Sequence, residues 1–156
     1  MGDYIALALL GVLGLFLVSA GIEDARVREI ANWKTATIAL LAPLWWLALG
    51  LSPWPDMAMQ AGIALIVFAF FAGAFALGQM GGGDVKLIGA LSLWLPLTQL
   101  VWMLVVMSLV GGAVTLALVI EARWRRSSRR IEIPYGVAIA IAGLLAMREP
   151  IINQFG

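Results

Sequence analysis

The stretch LIGALSLWLPLTQLVWMLVVMSLVGGAVTLALVI, residues 87–120, runs for 34 residues without a charged side chain. As one helix it would be about 51 Å long at 1.5 Å per residue, whereas the hydrocarbon core of a bilayer is about 30 Å thick. Pro96, followed closely by two polar residues, is the position at which we expect this run to turn. The stretch therefore predicts two membrane crossings, a short one at about residues 85–97 and a full one at about 98–120.

The rest of the chain has the same apolar character. Hydrophobic residues make up 63% of the 156 residues, charged residues only 12%, and the mean hydropathy is +1.00. A soluble domain usually has about a quarter of its residues charged, so this composition predicts a membrane protein. Four further apolar runs cover residues 4–22, 36–52, 57–79 and 135–147. We therefore predict an all-α integral membrane protein, a bundle of six transmembrane helices that forms a single domain over residues 1–156.

The basic residues predict the orientation of these crossings, because Lys and Arg near span ends favour the cytoplasmic side. Six crossings with the N-terminus and the C-terminus outside would place nine of the ten basic residues in the cytoplasm. A single crossing over residues 87–120 would instead separate the arginine-rich segment at 123–130 from the other basic loop. The predicted cytoplasmic residues are Arg26, Arg28, Lys34, Lys86, Arg123, Arg125, Arg126, Arg129 and Arg130. Predicted aromatic anchors at the two interfaces are Tyr4, Trp45, Trp46, Trp54, Trp94 and Trp102 outside and Trp33, Trp124 and Tyr135 inside.

The chain lacks the residue types on which several chemistries depend. It has no Cys and no His, which excludes disulfides, zinc fingers, haem ligation by His, and Ser-His-Asp or Cys-His catalysis. We predict no metal and no cofactor. The net charge of +1 gives no general attraction to nucleic acid, and the segment WRRSSRR, residues 124–130, is interpreted as an anchor for anionic lipid headgroups.

Two aspartates occupy unusual positions. Asp24 comes at the end of the first predicted span, and Asp84 begins the fourth, directly after Gly81, Gly82 and Gly83. Two spans, an even number, separate them, so both should lie at the same side and depth of the membrane and could meet. Two neighbouring carboxyl groups cannot both ionise easily, so one can hold a proton while the other activates water, as in aspartic proteases.

Local sequence adds two expectations for this pair. Helix dipoles should favour Asp84, near an N-terminus, as the anion and Asp24, near a C-terminus, as the protonated partner. The three glycines permit positive φ angles and leave space for an extended peptide beside Asp84, although they could equally form a flexible loop.

The alternative is that these acids are ordinary interface charges, solvated or paired with a nearby basic residue. We expect this of four glutamates that lie close to arginines in sequence. They are Glu23, Glu29, Glu121 and Glu132, flanked by Arg26, Arg28, Arg123 and Arg130. Asp3, Asp56 and Glu149 are expected to be solvated loop charges on the outside.

Three separated stretches resemble motifs of the type IV prepilin peptidases. GQMGGGDVKLIGAL, residues 78–91, resembles their GxGD motif, including the hydrophobic residue, Lys86 and leucine that follow it. EDARVREIAN, residues 23–32, resembles the first aspartate motif, which ends in Asn32. IPYGVAIAIAG, residues 133–143, is similar to the motif of the last span, where Pro and Gly open the helix.

The resemblance implies an integral membrane aspartic endopeptidase of the bacterial inner membrane with Asp24 and Asp84 as its catalytic pair. Its substrate would be a prepilin, whose short basic leader is removed at the cytoplasmic face after a glycine that precedes an apolar helix. The motif residues that would flank the approaching substrate are Gly81, Gly82, Gly83, Lys86, Asn32, Pro134 and Gly136.

Two departures from the family pattern qualify this resemblance. Ala31 stands where the family usually has Pro before Asn32, which puts a rigid turn at that position in doubt. The four-cysteine N-terminal extension of the larger, methylating members is absent, so the chain resembles the minimal form associated with Flp-type pili and methylation is not expected.

Other readings remain open at this level. In a small transporter or channel subunit, Asp24 and Asp84 would carry protons or cations and should lie near the bilayer midplane. A noncatalytic scaffold of pilus assembly would tolerate Asn at both positions. Lys86 is either an interface anchor or a charge that affects a neighbouring carboxylate, and neither the particular prepilin nor the oligomeric state follows from the sequence.

Overall fold

The computed structural model describes residues 2–125 and 133–148, and all regular secondary structure in these residues is helical. A five-residue segment, Pro53–Met57, leads into the third helix, and Trp54 within it has non-helical angles, φ −139° and ψ 128°. The described residues form six α-helices: α1 (Gly2–Val27), α2 (Asn32–Ala48), α3 (Ala58–Ala76), α4 (Gly82–Ser92), α5 (Leu97–Trp124) and α6 (Tyr135–Ala146). Arg126, Arg129, Arg130, Glu132 and Glu149 lie outside the described residues.

The predicted break at Pro96 is confirmed. Helix α4 ends at Ser92, and Pro96 is the N-cap of α5, with φ −55° and ψ 156°. Proline lacks a backbone N–H and disfavours helical geometry in the residue before it, so α4 does not continue into α5. The carbonyl of Pro96 accepts the N–H of Leu100 at 2.9 Å, which begins the new helix.

The described helices differ in how well they match a bilayer. Three segments are long and apolar enough to cross one: Gly2–Val27, Pro53–Ala76 and Leu97–Trp124. Helices α2, α4 and α6 have only 17, 11 and 12 residues. At 1.5 Å per residue α4 is about 17 Å long, little more than half the hydrocarbon thickness. A helical membrane protein is therefore supported, while six crossings and outside termini stay predictions.

Helix α4 lies at the centre of the bundle. It packs against α2, α3 and α6, while α1 packs against α2 and α6, and α5 packs against α6. Nearly every residue of α4 from Asp84 onward is buried, whereas α3 buries only Ala64. Close packing uses glycine: a Cβ at Gly89 would lie 2.7 Å from Cδ2 of Phe68 on α3. The central position of α4 holds Asp84 inside the protein rather than at its perimeter.

The prediction that Trp45, Trp46 and Trp94 are interface anchors was wrong. Trp45 and Trp94 are each 3% exposed, and their rings stack with centroids 5.6 Å apart. The indole N–H groups of Trp45 and Trp46 donate to the carbonyls of Trp94 and Leu93 at 3.1 and 2.7 Å. Because α4 is short, the carbonyls at its end lie inside the bundle and need internal donors. The tryptophans that stay exposed, as an anchor requires, are Trp33, Trp54, Trp102 and Trp124.

Candidate functional site

Four helix ends meet at one end of the bundle. The C-terminal end of α1 and the N-terminal ends of α2, α4 and α6 carry the residues that the sequence singled out. A cleft of about 270 Å³ opens between the first three of these ends. Its walls combine both aspartates, the glycine run and the loop that joins α1 to α2. The lining residues are Asp24, Arg28, Glu29, Ile30, Asn32, Gly81, Gly82, Gly83 and Asp84.

Asp24 lies in the last turn of α1, and its side chain is directed at the start of α6. The residue is only 5% exposed. Its Oδ2 accepts the backbone N–H of Val137 at 3.1 Å, and the N–H of Gly136 also donates to the carboxylate. The N-cap of α6 is Pro134, which has no side-chain hydrogen bond to the helix. Asp24 therefore supplies from α1 the acceptor that the first turn of α6 needs.

This arrangement corrects the expectation from helix dipoles. Asp24 does lie near the C-terminus of its own helix, but it faces the N-terminus of α6. Backbone N–H groups at a helix N-terminus favour a negative charge. The sequence expectation that Asp24 is the partner with the unfavourable dipole was wrong because it considered only the helix that carries the residue.

Gly136 explains how α6 comes so close to Asp24. A Cβ at position 136 would lie 2.7 Å from Cγ of Asp24 and 2.8 Å from its Oδ2, closer than real Cβ contacts. The backbone N–H of Val137 donates both to the carbonyl of Pro134, at 3.2 Å, and to Oδ2 of Asp24. Pro134 and Gly136 therefore contribute geometry: one begins the helix and the other leaves space for the carboxylate.

Asp84 lies in the first turn of α4 and is 8% exposed. The backbone N–H of Gly81 donates to its carboxylate, and Asp24 is close enough to repel it electrostatically. The structure therefore brings together the two acids, which are 60 residues apart in sequence. Two buried carboxyl groups that repel each other favour a state with a single proton between them.

The glycine run is part of a helix rather than a flexible loop. Gly82 and Gly83 are the first residues of α4, and Gly81 is its N-cap with φ −74°, so positive φ is not what this segment requires. What it requires is space. A Cβ at Gly83 would lie 3.3 Å from Cβ of Ile30, and one at Gly81 would lie 2.9 Å from Oδ2 of Asp84. The glycines let α4 approach the α1–α2 loop closely.

A partly buried ion pair that the sequence analysis missed joins α1 to α2. Nζ of Lys34 lies 2.8 Å from Oε2 of Glu23 and also donates to Oγ of Ser19 at 2.8 Å. We expected Glu23 to be solvated or paired with a nearby arginine, and its partner is instead Lys34. The available signal was that Glu23 and Lys34 stand at facing ends of consecutive spans, which makes them neighbours in space. The pair fixes the end of α1 one residue before Asp24.

The loop between α1 and α2 is held by backbone contacts. Arg28 has φ +59°, in the left-handed region, and its N–H donates to the carbonyl of Asp24 at 3.0 Å, which ends α1. Ala31 has φ −59°, a value that proline also adopts, and its N–H donates to Oε2 of Glu23 at 3.2 Å. Proline could not make this bond. Ala31 thus holds the turn through Glu23.

Lys86 makes its hydrogen bond to Asn32 rather than to either aspartate. Its Nζ donates to Oδ1 of Asn32 at 2.8 Å, which connects α4 to the first residue of α2. Asn32 itself lines the cleft, so the bond fixes one wall of it. Lys86 is thus bonded to an amide rather than to a carboxylate, and its role as an interface anchor stays a prediction.

The helices are apolar, and two buried aspartates line a cleft at one end of the bundle. These features define the chain as a helical membrane protein with a pair of neighbouring acids. The model of the type IV leader peptidase family matches residues 2–116. The chain belongs to that family, and this membership indicates a peptidase. The matched residues contain Asp24, Asn32, Asp84 and Lys86 but end before Pro134 and Gly136. No curated protein and no solved structure matches the chain.

Proposed function

We propose that this chain is a membrane-embedded aspartic endopeptidase that removes the basic leader peptide from prepilins, with those of the Flp type as first candidates. Cleavage would take place at the cytoplasmic face of the bacterial inner membrane. Membership in the type IV leader peptidase family supports a peptidase of this general kind. The observation that carries the proposal is that Asp24 and Asp84, both buried, line one cleft.

The proposed chemistry is direct attack by water. The ionised carboxylate takes a proton from water as its oxygen attacks the scissile carbonyl carbon, and the protonated carboxyl gives its proton to the carbonyl oxygen. The tetrahedral intermediate then collapses as the leaving amine takes a proton from the first carboxyl group and a hydroxyl of the intermediate returns a proton to the second carboxylate. No covalent bond to the enzyme forms. Two backbone N–H donors on Asp24, against one on Asp84, favour Asp24 as the ionised partner.

The position of the cleft suits a substrate that is part polar and part apolar. It lies at the end of the bundle, where a basic leader can stay in water while the following apolar segment remains in lipid. Glu29, on the cleft wall with the two aspartates, adds negative charge that would attract the leader. Hydrolysis requires an extended substrate backbone beside Asp84, because a helical peptide shields its carbonyls, and Gly81, Gly82 and Gly83 add no side chains to that wall of the cleft.

A transporter or channel subunit is disfavoured by the placement of the same acids. That reading requires carboxylates near the middle of the helices, on a path through the bundle. Asp24 lies in the last turn of α1 and Asp84 in the first turn of α4. Their position at helix ends supports a site for a substrate that enters from one side.

Cleavage of a prepilin by the purified protein tests this proposal. Wild-type protein in detergent should convert a prepilin to its mature form, with the new N-terminus located by mass spectrometry. Asp24→Asn and Asp84→Asn should abolish conversion, while Asp3→Asn, which changes an exposed acid at the start of α1, should leave it unchanged. Failure of the wild-type protein to convert the prepilin would favour the scaffold reading, and conversion by both Asn variants at the wild-type rate would refute Asp24 and Asp84 as the catalytic pair.

A further inference from the structure

An apolar groove runs along the bundle between α2 and α3, with α4 as its floor. Its volume is about 530 Å³, roughly twice that of the cleft. Both flanking helices pack on α4, and the groove is open to the outside between them. Half of its lining residues are alanine or glycine, which lets another chain approach closely. The lining residues are Asn32, Thr35, Ala36, Ala39, Ala61, Ala64, Leu65, Phe68, Lys86, Gly89, Ala90 and Leu93.

The groove begins where the cleft ends. Asn32 lines both, and the bond from Lys86 to Asn32 lies at their junction. On the floor, lining residues run from Lys86 to Leu93, which is about 10 Å at 1.5 Å per residue. The groove is thus polar at the end next to Asp84 and apolar for about two helical turns beyond it.

The cleft and the groove also differ in their charged residues. The cleft carries the acids Asp24, Glu29 and Asp84, together with Arg28, whereas Lys86 is the charged residue that lines the groove. A basic segment would be drawn to the cleft and repelled by Lys86 at the entrance of the groove. An apolar segment has no such penalty and gains from burial between α2 and α3. The order of polarity along this surface is therefore acidic cleft, lysine, apolar groove.

We propose that this groove binds the apolar segment of the substrate immediately after the scissile bond, while the basic leader lies across the cleft. This inference rests on the proposed function, since it gives the substrate a direction across the same site. A prepilin has the matching order: basic leader, scissile bond, apolar segment. The groove thereby fixes which peptide bond lies beside Asp24 and Asp84, at the change from polar to apolar sequence.

Filling the groove tests the proposal. Ala36→Trp and Ala61→Trp place an indole at exposed alanines in its walls, and Leu40→Trp, an exposed position of α2 outside the groove, is the matched control. Each variant receives a full prepilin and a shortened peptide that keeps the leader and scissile bond but lacks the apolar segment. The groove variants should lose at least about tenfold in kcat/KM for the full prepilin, mainly through KM, and cleave the shortened peptide as wild type does.

A second measurement does not depend on the bulky substitutions. The chain contains no cysteine, so Ala36→Cys introduces a single reactive thiol. It should form a disulfide with a prepilin that carries one cysteine early in its apolar segment, and Leu40→Cys should not. The docking proposal would be overturned if this cross-link does not form, or if all Trp variants cleave the full prepilin with wild-type kinetics. The groove would then be occupied by lipid. A wild-type protein that cleaves neither substrate would instead overturn the proposed function.

Discussion

Asp24 and Gly136 are in direct contact across the packing of α1 against α6, with so little space that a Cβ at position 136 would lie 2.7 Å from Cγ of the aspartate. The contact links a side chain at the end of the first helix to the backbone at the start of the last. It places the N–H of Val137 3.1 Å from Oδ2 of Asp24, so the orientation of one proposed catalytic carboxylate depends on a glycine more than a hundred residues away.

Gly136→Ala should therefore impair catalysis without preventing folding. The added methyl group must displace the Asp24 carboxylate, and a misplacement of about 1 Å at a catalytic group can cost about a hundredfold in rate. We expect a loss of that order in kcat with prepilin. Gly73→Ala is the matched control, because a Cβ at Gly73 meets nothing within 4 Å. Equal rates for the two variants would contradict the proposed role of this contact.

The ion pair between Glu23 and Lys34 should stabilise the site. Lys34→Met removes the partner of Glu23 and leaves the hydroxyl of Ser19 without its donor. We expect a lower melting temperature in detergent and a lower kcat, since the end of α1 then holds Asp24 less firmly. Arg26→Met, which removes the partner suggested by the sequence, should have a smaller effect on both.

Exchanging the charges of Glu23 and Lys34 tests whether the ion pair itself, rather than the shape of the two side chains, stabilises the protein. The double variant Glu23→Lys with Lys34→Glu restores an ion pair and should recover part of the stability lost in Lys34→Met. If Lys34→Met melts and cleaves as wild type does, the ion pair does not position Asp24.

The indole of Trp46 should stabilise the end of α4. Trp46→Phe removes the donor to the carbonyl of Leu93, a bond of 2.7 Å, and keeps most of the ring packing. A fully buried carbonyl without a donor costs about 1–3 kcal/mol. This bond is partly buried, so we expect a cost toward the lower end of that range and a lower melting temperature. Trp54→Phe, at a residue that is 81% exposed, should leave it unchanged. A fall of the same size in both variants would show that the indole bond of Trp46 has no special weight.

Local sequence predicted the helices, and the number of apolar runs between the two acids predicted that they lie at the same end of the bundle. The break at Pro96 follows from a missing N–H, and the positions of Asp24 and Asp84 follow from the parity of apolar runs. Resemblance in the motif stretches then singled out the glycines, Pro134 and Gly136.

Long-range partners could not be predicted in this way. Trp45 and Trp46 are buried donors because they lie on the side of α2 that faces α4. No periodic pattern in the sequence shows which side of α2 this is. Likewise, Asp24 meets the N-terminus of α6 only because those two helices pack together, so its own helix gave the wrong expectation. The Glu23–Lys34 pair was missed because the arginines beside Glu23 are closer in sequence.

The central claim is that Asp24 and Asp84 act as one catalytic unit, and a double-variant comparison of prepilin cleavage tests it most directly. Groups that act as a unit are strongly non-additive, so loss of either should remove nearly all the catalysis that both provide. We predict that Asp24→Asn, Asp84→Asn and the double variant have the same residual kcat/KM. Losses that multiply in the double variant, or substantial activity in either single variant, would contradict the claim.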